Sequence, residues 1–360
     1  MRVVILSGTS FVGRAICAEL VARGHELLVV HRGQTEPPDP APATHLHAER
    51  AAWPEHRAEI AAFRPDAAVD VSALDGPGAD SALRALPEGL RLVVLSSVNV
   101  YRAYASARAG IHTDPVPLTE QSALRTTRHL DGPEWENLDI EARYLPAGAT
   151  VLRLGAVYGE HDYQQRLEFV LRRVRARRAR IPFGAGTFLF SRIYVGDVAT
   201  AVAAALERQS TAAAGGGELF NIVESATPSI RLLAEQVLAA VGSSAELVTV
   251  PDHVLPPDLR ITRAGTQALL ADAAKARKHL DWQDSDPAQA LERTIAWHLR
   301  NPPLADDDFA PDDAALHHAA PCRVALIPDR RWASWSGIRL PDQEVGHVAT
   351  GPEAPRPGMS

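Results

Sequence analysis

Apolar and polar positions near the start of the chain follow a pattern that predicts a strand, a helix and a second strand. Arg2–Leu6 is apolar after its first residue, as expected of a buried parallel strand. Apolar side chains then recur at helical spacing over residues 12–23, and Gly24 marks the end of this helix. Glu26–His31 is a second apolar run. Together these segments predict one strand-helix-strand unit of about 30 residues.

Similar apolar runs follow at residues 67–71, at residues 92–95 and at Thr150–Leu154, each bounded by turn residues. Repeated alternation of strands and helices predicts a parallel sheet with helices on both faces, which is the doubly wound α/β or Rossmann class. The pattern fails after residue 300, where prolines and a run of aspartates appear. Residues 301–360 are therefore predicted to form an irregular tail.

The turn between the first strand and the first helix carries the clearest chemical signal. Its small residues allow the backbone to approach a pyrophosphate, whose charge would rest on the helix N-terminus. Ser7 and Ser10 stand where glycine is more usual, so the turn is a degenerate version of the dinucleotide-binding motif. It predicts that the cofactor is bound by Ser7, Gly8, Thr9, Ser10, Phe11, Val12 and Gly13.

Residues that follow other strands extend this predicted site. Arg32 follows the second strand, and no carboxylate occurs before Glu36. An arginine here accommodates a 2′-phosphate, whereas a carboxylate would bind a ribose hydroxyl, so NADP is favoured over NAD. A solvated Arg32 without a ligand is the alternative. Asp70 and Ser96 lie at the carboxyl ends of their strands and are therefore placed towards the cofactor.

The composition is that of a globular protein. With 360 residues, 46% of them hydrophobic, the chain can bury a substantial core. No apolar run approaches the length of a membrane span and Met1 leads directly into the first strand, so we expect a cytoplasmic protein without a signal peptide or a membrane partner. The net charge of -7 argues against nucleic-acid binding.

Cysteine and histidine positions add no predicted site. Cys17 and Cys322 are the only cysteines, so no disulfide framework is expected. His317, His318 and Cys322 lack the spacing typical of zinc ligands. The sequence therefore predicts no metal.

Several segments resemble one enzyme family, in the same order along residues 1–300. The matching segments are residues 8–13, 31–33, 69–70, 95–101, 152–159, 193–199, 220–223 and 273–282. The chain is similar to the NAD-dependent epimerase/dehydratase family, the extended branch of the short-chain dehydrogenase/reductase superfamily, and more narrowly to an atypical subgroup of it.

The resemblance implies a domain organisation and a class of substrate. Residues 1–158 would form an NAD(P)-binding Rossmann domain, and residues 159–300 a smaller substrate domain that is partly interleaved with it. The substrate would be a small hydroxyl- or carbonyl-bearing molecule, with nucleotide sugars and secondary metabolites among the candidates. A homodimer is left open.

Catalysis in this family uses a Ser or Thr, a Tyr, and a Lys four residues after that Tyr. Ser97 matches the Ser/Thr position, and its alternative role is a strand-end hydroxyl that bonds local backbone groups. The Tyr-x-x-x-Lys element is missing, because Lys275 and Lys278 are the only lysines and neither has a tyrosine four residues before it. Tyr101 is the predicted substitute as proton donor.

Other acid-base candidates lie where the Tyr-x-x-x-Lys element is expected, at residues 132–143. One register of this segment places Trp135 and Asp139 in the Tyr and Lys positions, and another places Pro133 and Asn137 there. Neither pair contains a phenol or a cation. Glu134 and Glu136 are alternative bases if burial raises the pKa of either carboxyl. Tyr104 with Arg108 has the right spacing but follows Ser97 too closely.

A basic segment between residues 166 and 180 places many arginines beside an apolar stripe. This segment favours an anionic substrate, and a solvated helix face is the alternative. The chain is thus predicted to be an NAD(P)-dependent oxidoreductase or epimerase/dehydratase. Loss of the Tyr and Lys leaves a second possibility, a non-catalytic NAD(P)-binding sensor or scaffold.

Overall fold

The computed structural model describes residues 1–128, 136–208, 216–265, 267–304 and 308–319. Its strands alternate with helices along most of the chain. The strands are β1 (Arg2–Leu6), β2 (Glu26–His31), β3 (Thr44–His47), β4 (Ala67–Asp70), β5 (Arg91–Ser97), β6 (Thr150–Leu154), β7 (Ala156–Tyr158), β8 (Arg180–Phe183), β9 (Arg192–Tyr194), β10 (Glu218–Ile222) and β11 (Glu246–Thr249).

The helices lie between and after these strands. They are α1 (Phe11–Ala22), α2 (Arg57–Ala62), α3 (Gly76–Ala85), α4 (Arg102–Arg108), α5 (Asn137–Tyr144), α6 (Glu168–Arg175), α7 (Val195–Glu207), α8 (Ile230–Ala240), α9 (Ala274–His279), α10 (Pro287–Arg300) and α11 (Ala310–Leu316). No helix in the described ranges is both long enough and apolar enough to cross a membrane.

Seven parallel strands form the central sheet in the order β10-β6-β5-β4-β1-β2-β3. The order reverses beside β1, where the chain moves from one side of the sheet to the other, and ligands bind near such a point in open α/β sheets. The predicted doubly wound Rossmann fold is confirmed.

Both faces of the sheet are covered, as the apolar strands require. On one face α1 and α7 pack together through side chains that include Ile16, Leu20 and Val202. On the other face α3 and α5 contribute Ala82, Ile140 and further buried residues to a second cluster. Because all seven strands are parallel, their carboxyl ends lie at the same edge of the sheet.

The C-terminal half has its own apolar core, formed by α6, α8, α10 and strand β8. It is interleaved with the first half because β10 returns to pair with β6 in the central sheet. This agrees with the predicted architecture, and the boundaries at residues 158 and 300 stay predictions, since residues 1–320 form one compact unit.

Three local predictions differ from the structure. The edge strand β3 was not predicted, because Thr44–His47 has only one aliphatic residue. The basic segment is helical only over Glu168–Arg175, after which the chain turns into β8. Part of the predicted irregular tail is the helix α11, where Asp312 is buried against Arg173 of α6. Residues 320–360 lie outside the described ranges.

Candidate functional site

The turn between β1 and α1 is built by very close backbone packing. A Cβ atom on Gly13 would lie 2.7 Å from the Cα of Gly8 and 2.8 Å from the carbonyl oxygen of Ser7. Ser7 itself has a φ of +69°, a left-handed conformation that is uncommon for a non-glycine residue. The N-terminus of α1 is therefore held against the end of β1.

A cavity of about 350 Å³ opens at this turn. Its wall includes Ser7, Thr9, Ser10, Phe11, Val12 and Gly13 of the turn, and Arg32 after β2. The structure therefore brings together most of the residues predicted to bind a cofactor. The remaining lining residues are His31, Gln34, Thr35, Glu49, Arg50, Trp53, Val71, Ser72, Leu74 and Tyr163.

Asp70 takes part in this site indirectly. Its carboxylate is 2% exposed and accepts two hydrogen bonds from the guanidinium of Arg50, at 2.9 and 2.8 Å. It also accepts a hydrogen bond of 2.5 Å from the hydroxyl of Tyr144. These partners satisfy the Asp70 carboxylate, and its predicted contact with a cofactor stays a prediction. The carboxylate holds Arg50 at the cavity wall, where the guanidinium also stacks on the ring of Trp53 at 4.2 Å.

Gly8 and Ser96 also lie away from the cavity wall. A Cβ on Gly8 would lie 2.7 Å from Ile5 and 2.9 Å from the sulfur of Cys17, so this glycine allows α1 to pack on the sheet. The hydroxyl of Ser96 donates a hydrogen bond of 2.6 Å to Glu141 and is buried. Gly8 and Ser96 are therefore occupied with packing and with Glu141, and their predicted contact with a cofactor stays a prediction.

A buried polar network occupies the carboxyl ends of β5, β6 and β10. Ser96, Arg153 and Asn221 are direct neighbours across these three strands. Arg153 donates two hydrogen bonds to Glu141 of α5, at 2.9 and 2.7 Å, and both side chains are almost completely buried. Since buried charges need partners, α5 is fixed to the sheet through this ion pair.

Tyr101 belongs to the same network. Its side chain is 0% exposed, and its hydroxyl donates to Asn221 at 2.6 Å and accepts from Arg153 at 3.1 Å. Burial raises the pKa of Tyr101, although the nearby Arg153 acts in the opposite direction. A phenol without solvent access and with both hydrogen-bonding roles filled is poorly placed to protonate a substrate. The structure therefore argues against the predicted role of Tyr101.

Ser97 is less enclosed than Tyr101. Its side chain is partly exposed at the end of β5, and its hydroxyl accepts a hydrogen bond of 3.2 Å from the backbone N–H of Asn99. The side chain of Asn99 accepts a bond of 3.1 Å from Asn137, the first residue of α5. Ser97 keeps its hydroxyl hydrogen for another acceptor, so both predicted roles, catalytic and local, remain compatible with the structure.

Only some of the alternative bases predicted in residues 132–143 lie in the part of the chain that the structure describes. Glu136 is buried and pairs with Arg125 at 2.9 and 2.6 Å, which makes it a structural residue at the start of α5. Asp139 pairs with Arg128. Glu134 and Trp135 lie outside the described residues. The α5 region thus contains carboxylates that are already paired with arginines.

The arginines of α6 are likewise paired. Arg173 is buried and donates to Asp258 and Asp312, at 2.7 Å in each case. Arg175 pairs with Glu168, and Arg178, which follows the helix, pairs with Asp313. Because these carboxylates already neutralise the arginines, the helix gives little support to the anionic-substrate interpretation.

Sequence reasoning missed several residues of the cavity wall. Glu49, Arg50 and Trp53 follow β3, and their approach to the turn depends on a strand whose pattern is not apolar enough to recognise. Tyr163 comes from the region after β7, and its ring meets that of Phe11 edge-on at 6.1 Å. Only the tertiary structure brings these segments to the turn.

The chain belongs to the NAD dependent epimerase/dehydratase family, which matches residues 3–222. It is 27% identical over 259 residues to a 2-alkyl-3-oxoalkanoate reductase of Stenotrophomonas maltophilia, a match that covers 68% of this chain and 76% of the reductase. It is also 24% identical over 340 residues to the chloroplast stem-loop binding protein of 41 kDa b of Arabidopsis thaliana, covering 88% and 84% of the two chains.

A solved structure gives the same fold. The UDP-glucose-4-epimerase of Stenotrophomonas maltophila, with bound NAD and formylated UDP-arabinopyranose, has a TM-score of 0.65 and 18% identity to this chain. The match covers 85% of this chain and all of the epimerase. At this level of identity the likeness shows the fold, and chemistry has to be argued from the residues of the site.

Proposed function

We propose that this protein is an NADP-dependent oxidoreductase that acts on a small carbonyl- or hydroxyl-bearing substrate. The observation that carries the proposal is the cavity at the β1-α1 turn, which is lined by the turn residues and by Arg32. The turn fits a pyrophosphate because Gly13 keeps the backbone close and the N-terminus of α1 faces the cavity. A nicotinamide cofactor would supply or accept the hydride in such a reaction.

The preference for NADP rests on charges around the cavity. Arg32 lies on its wall, while the carboxylate of Glu36 is bonded to His47 at 2.6 Å. Among the described residues of the cavity wall, Glu49 favours NAD, because a carboxylate binds a ribose hydroxyl. We give more weight to Arg32 because it directly follows β2, the position that faces a 2′-phosphate in this fold.

Calorimetric titration with NADPH and NADH separates these two assignments. Arg32→Ala is expected to weaken NADPH binding by about 1.5–3 kcal/mol, or roughly 10- to 100-fold, and to leave NADH binding unchanged. Glu49→Gln should change neither affinity strongly. Tighter binding of NADH than NADPH, lost in Glu49→Gln, would instead assign the protein to NAD.

Ser97 is the residue that we assign to the substrate. Its partly exposed hydroxyl would donate a hydrogen bond to a substrate oxygen and stabilise the charge that develops there during hydride transfer. The substrate class that we propose is a carbonyl compound of the kind named for the reductase relative, because the paired arginines of α6 offer little to a nucleotide diphosphate.

A second candidate is a non-catalytic dinucleotide-binding protein. The specific observation that favours it is the buried network of Glu141, Arg153, Tyr101 and Asn221, which ties α5 to the sheet within the segment where the resemblance expects the family's Tyr and Lys. No residue described in this network is free to replace that pair. Cofactor binding would then alter the conformation or the assembly of the protein, and no substrate would be converted.

Turnover measurements distinguish the two candidates. NADPH oxidation would be followed with 2-alkyl-3-oxoalkanoates, simple ketones and nucleotide sugars, using the wild type and Ser97→Ala. The oxidoreductase proposal expects turnover that Ser97→Ala lowers by roughly 2.7–4 kcal/mol in activation free energy, or about 100- to 1000-fold. Turnover that Ser97→Ala does not alter would contradict the assigned role of Ser97. Tight NADPH binding with no turnover on any compound would favour the non-catalytic candidate.

A further inference from the structure

Three histidines and a glutamate meet at the outer edge of the central sheet. His31 is the last residue of β2, and its register partner on the edge strand β3 is His47. His45 lies two residues before His47 and therefore points to the same face. Glu36 reaches this group from the loop that follows β2. Four side chains that can bind a metal, from two neighbouring strands and one loop, thus lie close together.

The distances within this cluster are short. The Nε2 atom of His31 lies 2.8 Å from Nδ1 of His45, and Nε2 of His47 lies 2.6 Å from Oε1 of Glu36. The same Glu36 oxygen is 3.6 Å from Nε2 of His31. One ligand atom from each of the four residues lies within 4.8 Å of all the others.

These separations resemble those between the ligands of a tetrahedral metal ion. Zinc binds histidine nitrogens at about 2.0–2.1 Å and carboxylate oxygens at similar distances, which places its ligands roughly 3.3 Å apart. The two closest pairs here would open by about half an ångström, and the wider separations would close, to reach that spacing. Rotation of exposed side chains suffices for most of this, because His47 and Glu36 are exposed and only His31 is buried.

We propose that His31, Glu36, His45 and His47 bind one divalent transition-metal ion, for which Zn²⁺ is the best match. Imidazole ligands suit zinc, copper, nickel and iron, and a single carboxylate with three imidazoles is poorly suited to Mg²⁺ or Ca²⁺. Four protein ligands complete a tetrahedron, which is the arrangement of a structural site. The site differs from the prediction of no metal, which considered His317, His318 and Cys322 and missed β3.

The ion would replace the hydrogen bonds between His31 and His45 and between His47 and Glu36, and it would also affect one bond to the backbone. Nδ1 of His31 accepts a bond of 3.1 Å from the backbone N–H of Gly33. A neutral imidazole that binds metal through Nε2 carries its proton on Nδ1, so this bond has to open when the ion binds. Gly33 has a φ of +75° and is exposed, so the turn has the freedom to adjust.

A bound ion would hold in place a segment that lines the cofactor cavity. His31, Arg32, Gln34 and Thr35 line the cofactor cavity, and Glu36 follows them directly. An ion that joins Glu36 to β3 would therefore fix both ends of the segment that forms this side of the cavity. Without the ion, the same segment is held to β3 by the hydrogen bonds from His31 to His45 and from His47 to Glu36.

Metal binding by the full chain, purified without a histidine tag and stripped with a chelator, tests the proposal. Equilibrium dialysis against Zn²⁺ should give one tightly bound ion per chain. Titration with Co²⁺ should give the intense visible absorption of a tetrahedral cobalt complex, which an exposed and largely hydrated ion does not show. One equivalent of Zn²⁺ should then displace the cobalt and remove the absorption.

Substitutions locate the ion. His47→Gln, His45→Gln and Glu36→Gln should each weaken binding by at least about tenfold, since loss of even an outer partner of a metal ligand typically costs 10- to 100-fold. His47 and Glu36 are exposed, so their variants should keep the far-ultraviolet circular dichroism of the wild type. His253→Gln, and the double variant His317→Gln with His318→Gln, replace exposed histidines elsewhere and should bind like the wild type.

Two results would overturn the proposal. One is the absence of a tightly bound ion in the wild type, which would leave a cluster held by hydrogen bonds alone. The other is binding that survives His45→Gln combined with His47→Gln, or that disappears in the His317 and His318 variant, because the ion would then lie elsewhere in the chain.

Discussion

Two regions at the same edge of the central sheet have opposite character. At the ends of β1 and β2 the structure has an open cavity, and its wall contains the exposed polar side chains of Ser10 and Arg32. At the ends of β5, β6 and β10 the space is filled by the buried network of Ser96, Glu141, Arg153, Tyr101 and Asn221. The first region is the cavity to which we assign the cofactor, and the second holds helix α5 on the sheet.

On the proposed function, the difference means that the cofactor half of the family's site is kept and the proton-transfer half is replaced. The turn needs only backbone geometry and small residues, which this chain retains despite the serines in place of glycines. The resemblance implies that proton transfer needs a phenol beside a cation, and here Tyr101 and Arg153 are buried and hydrogen-bonded to Asn221 and Glu141. Family membership therefore supports cofactor binding more directly than it supports a particular reaction.

The largest expected effect comes from breaking the buried network. Glu141→Ala should lower the free energy of unfolding by about 3–5 kcal/mol, because it leaves the buried guanidinium of Arg153 without its carboxylate. Urea denaturation measures this change. Glu26→Ala, which removes an exposed partner of Arg2 at 3.3 Å, is the control and should cost less than about 1 kcal/mol. Equal losses in the two variants would show that the network does not stabilise this region.

The next effect concerns the turn. Gly13→Ala places a Cβ 2.7–2.8 Å from backbone atoms of Ser7 and Gly8, so the N-terminus of α1 has to move away from β1. We expect NADPH affinity to fall by more than about tenfold, which corresponds to 1.4 kcal/mol, as measured by calorimetry. Gly216→Ala is the matched control, because a Cβ there meets open space. Normal affinity in Gly13→Ala would mean that the ligand is not held by this turn.

Tyr101→Phe tests whether the second region is structural. The variant removes a hydroxyl that bonds Asn221 and Arg153, and should lower the free energy of unfolding by about 1–3 kcal/mol. Turnover, where it is found, should be unchanged and should keep the same dependence on pH, because burial already raises the pKa of Tyr101. Loss of turnover in a variant that keeps wild-type stability would restore Tyr101 as the proton donor.

The smallest expected effect lies at the mouth of the cavity. Tyr163→Ala removes a ring that meets Phe11 edge-on at 6.1 Å, and should weaken cofactor binding by about 0.5–1.5 kcal/mol. The exposed position of Tyr163 predicts no change in the urea midpoint. Tyr163→Phe keeps the ring and serves as the control. A loss of binding in Tyr163→Phe as large as in Tyr163→Ala would assign the effect to the hydroxyl.

Much of the fold was predictable because the relevant signals are local. Arg2–Leu6 and Glu26–His31 begin and end where the apolar pattern places them, and α1 differs from its predicted bounds by one residue at each end. Strand β3 was not predictable in this way, since Thr44–His47 contains one aliphatic residue and lacks the alternation of apolar and polar residues that predicts a strand. The residues that follow β3 were consequently absent from the predicted site, although they form part of the cavity wall.

The sequence by itself determined the sheet, the phosphate-type turn and the absence of a Tyr-x-x-x-Lys element, because each depends on residues close together in the chain. Only the tertiary structure decided which polar groups are already hydrogen-bonded or ion-paired within the protein. Asp70 accepts a hydrogen bond from Tyr144, which is 74 residues away in the chain. Tyr101 donates one to Asn221, which is 120 residues away. The physical reason is that strand pairing and helix packing bring distant segments into contact, and the free energy of burying a charge then depends on what lies beside it.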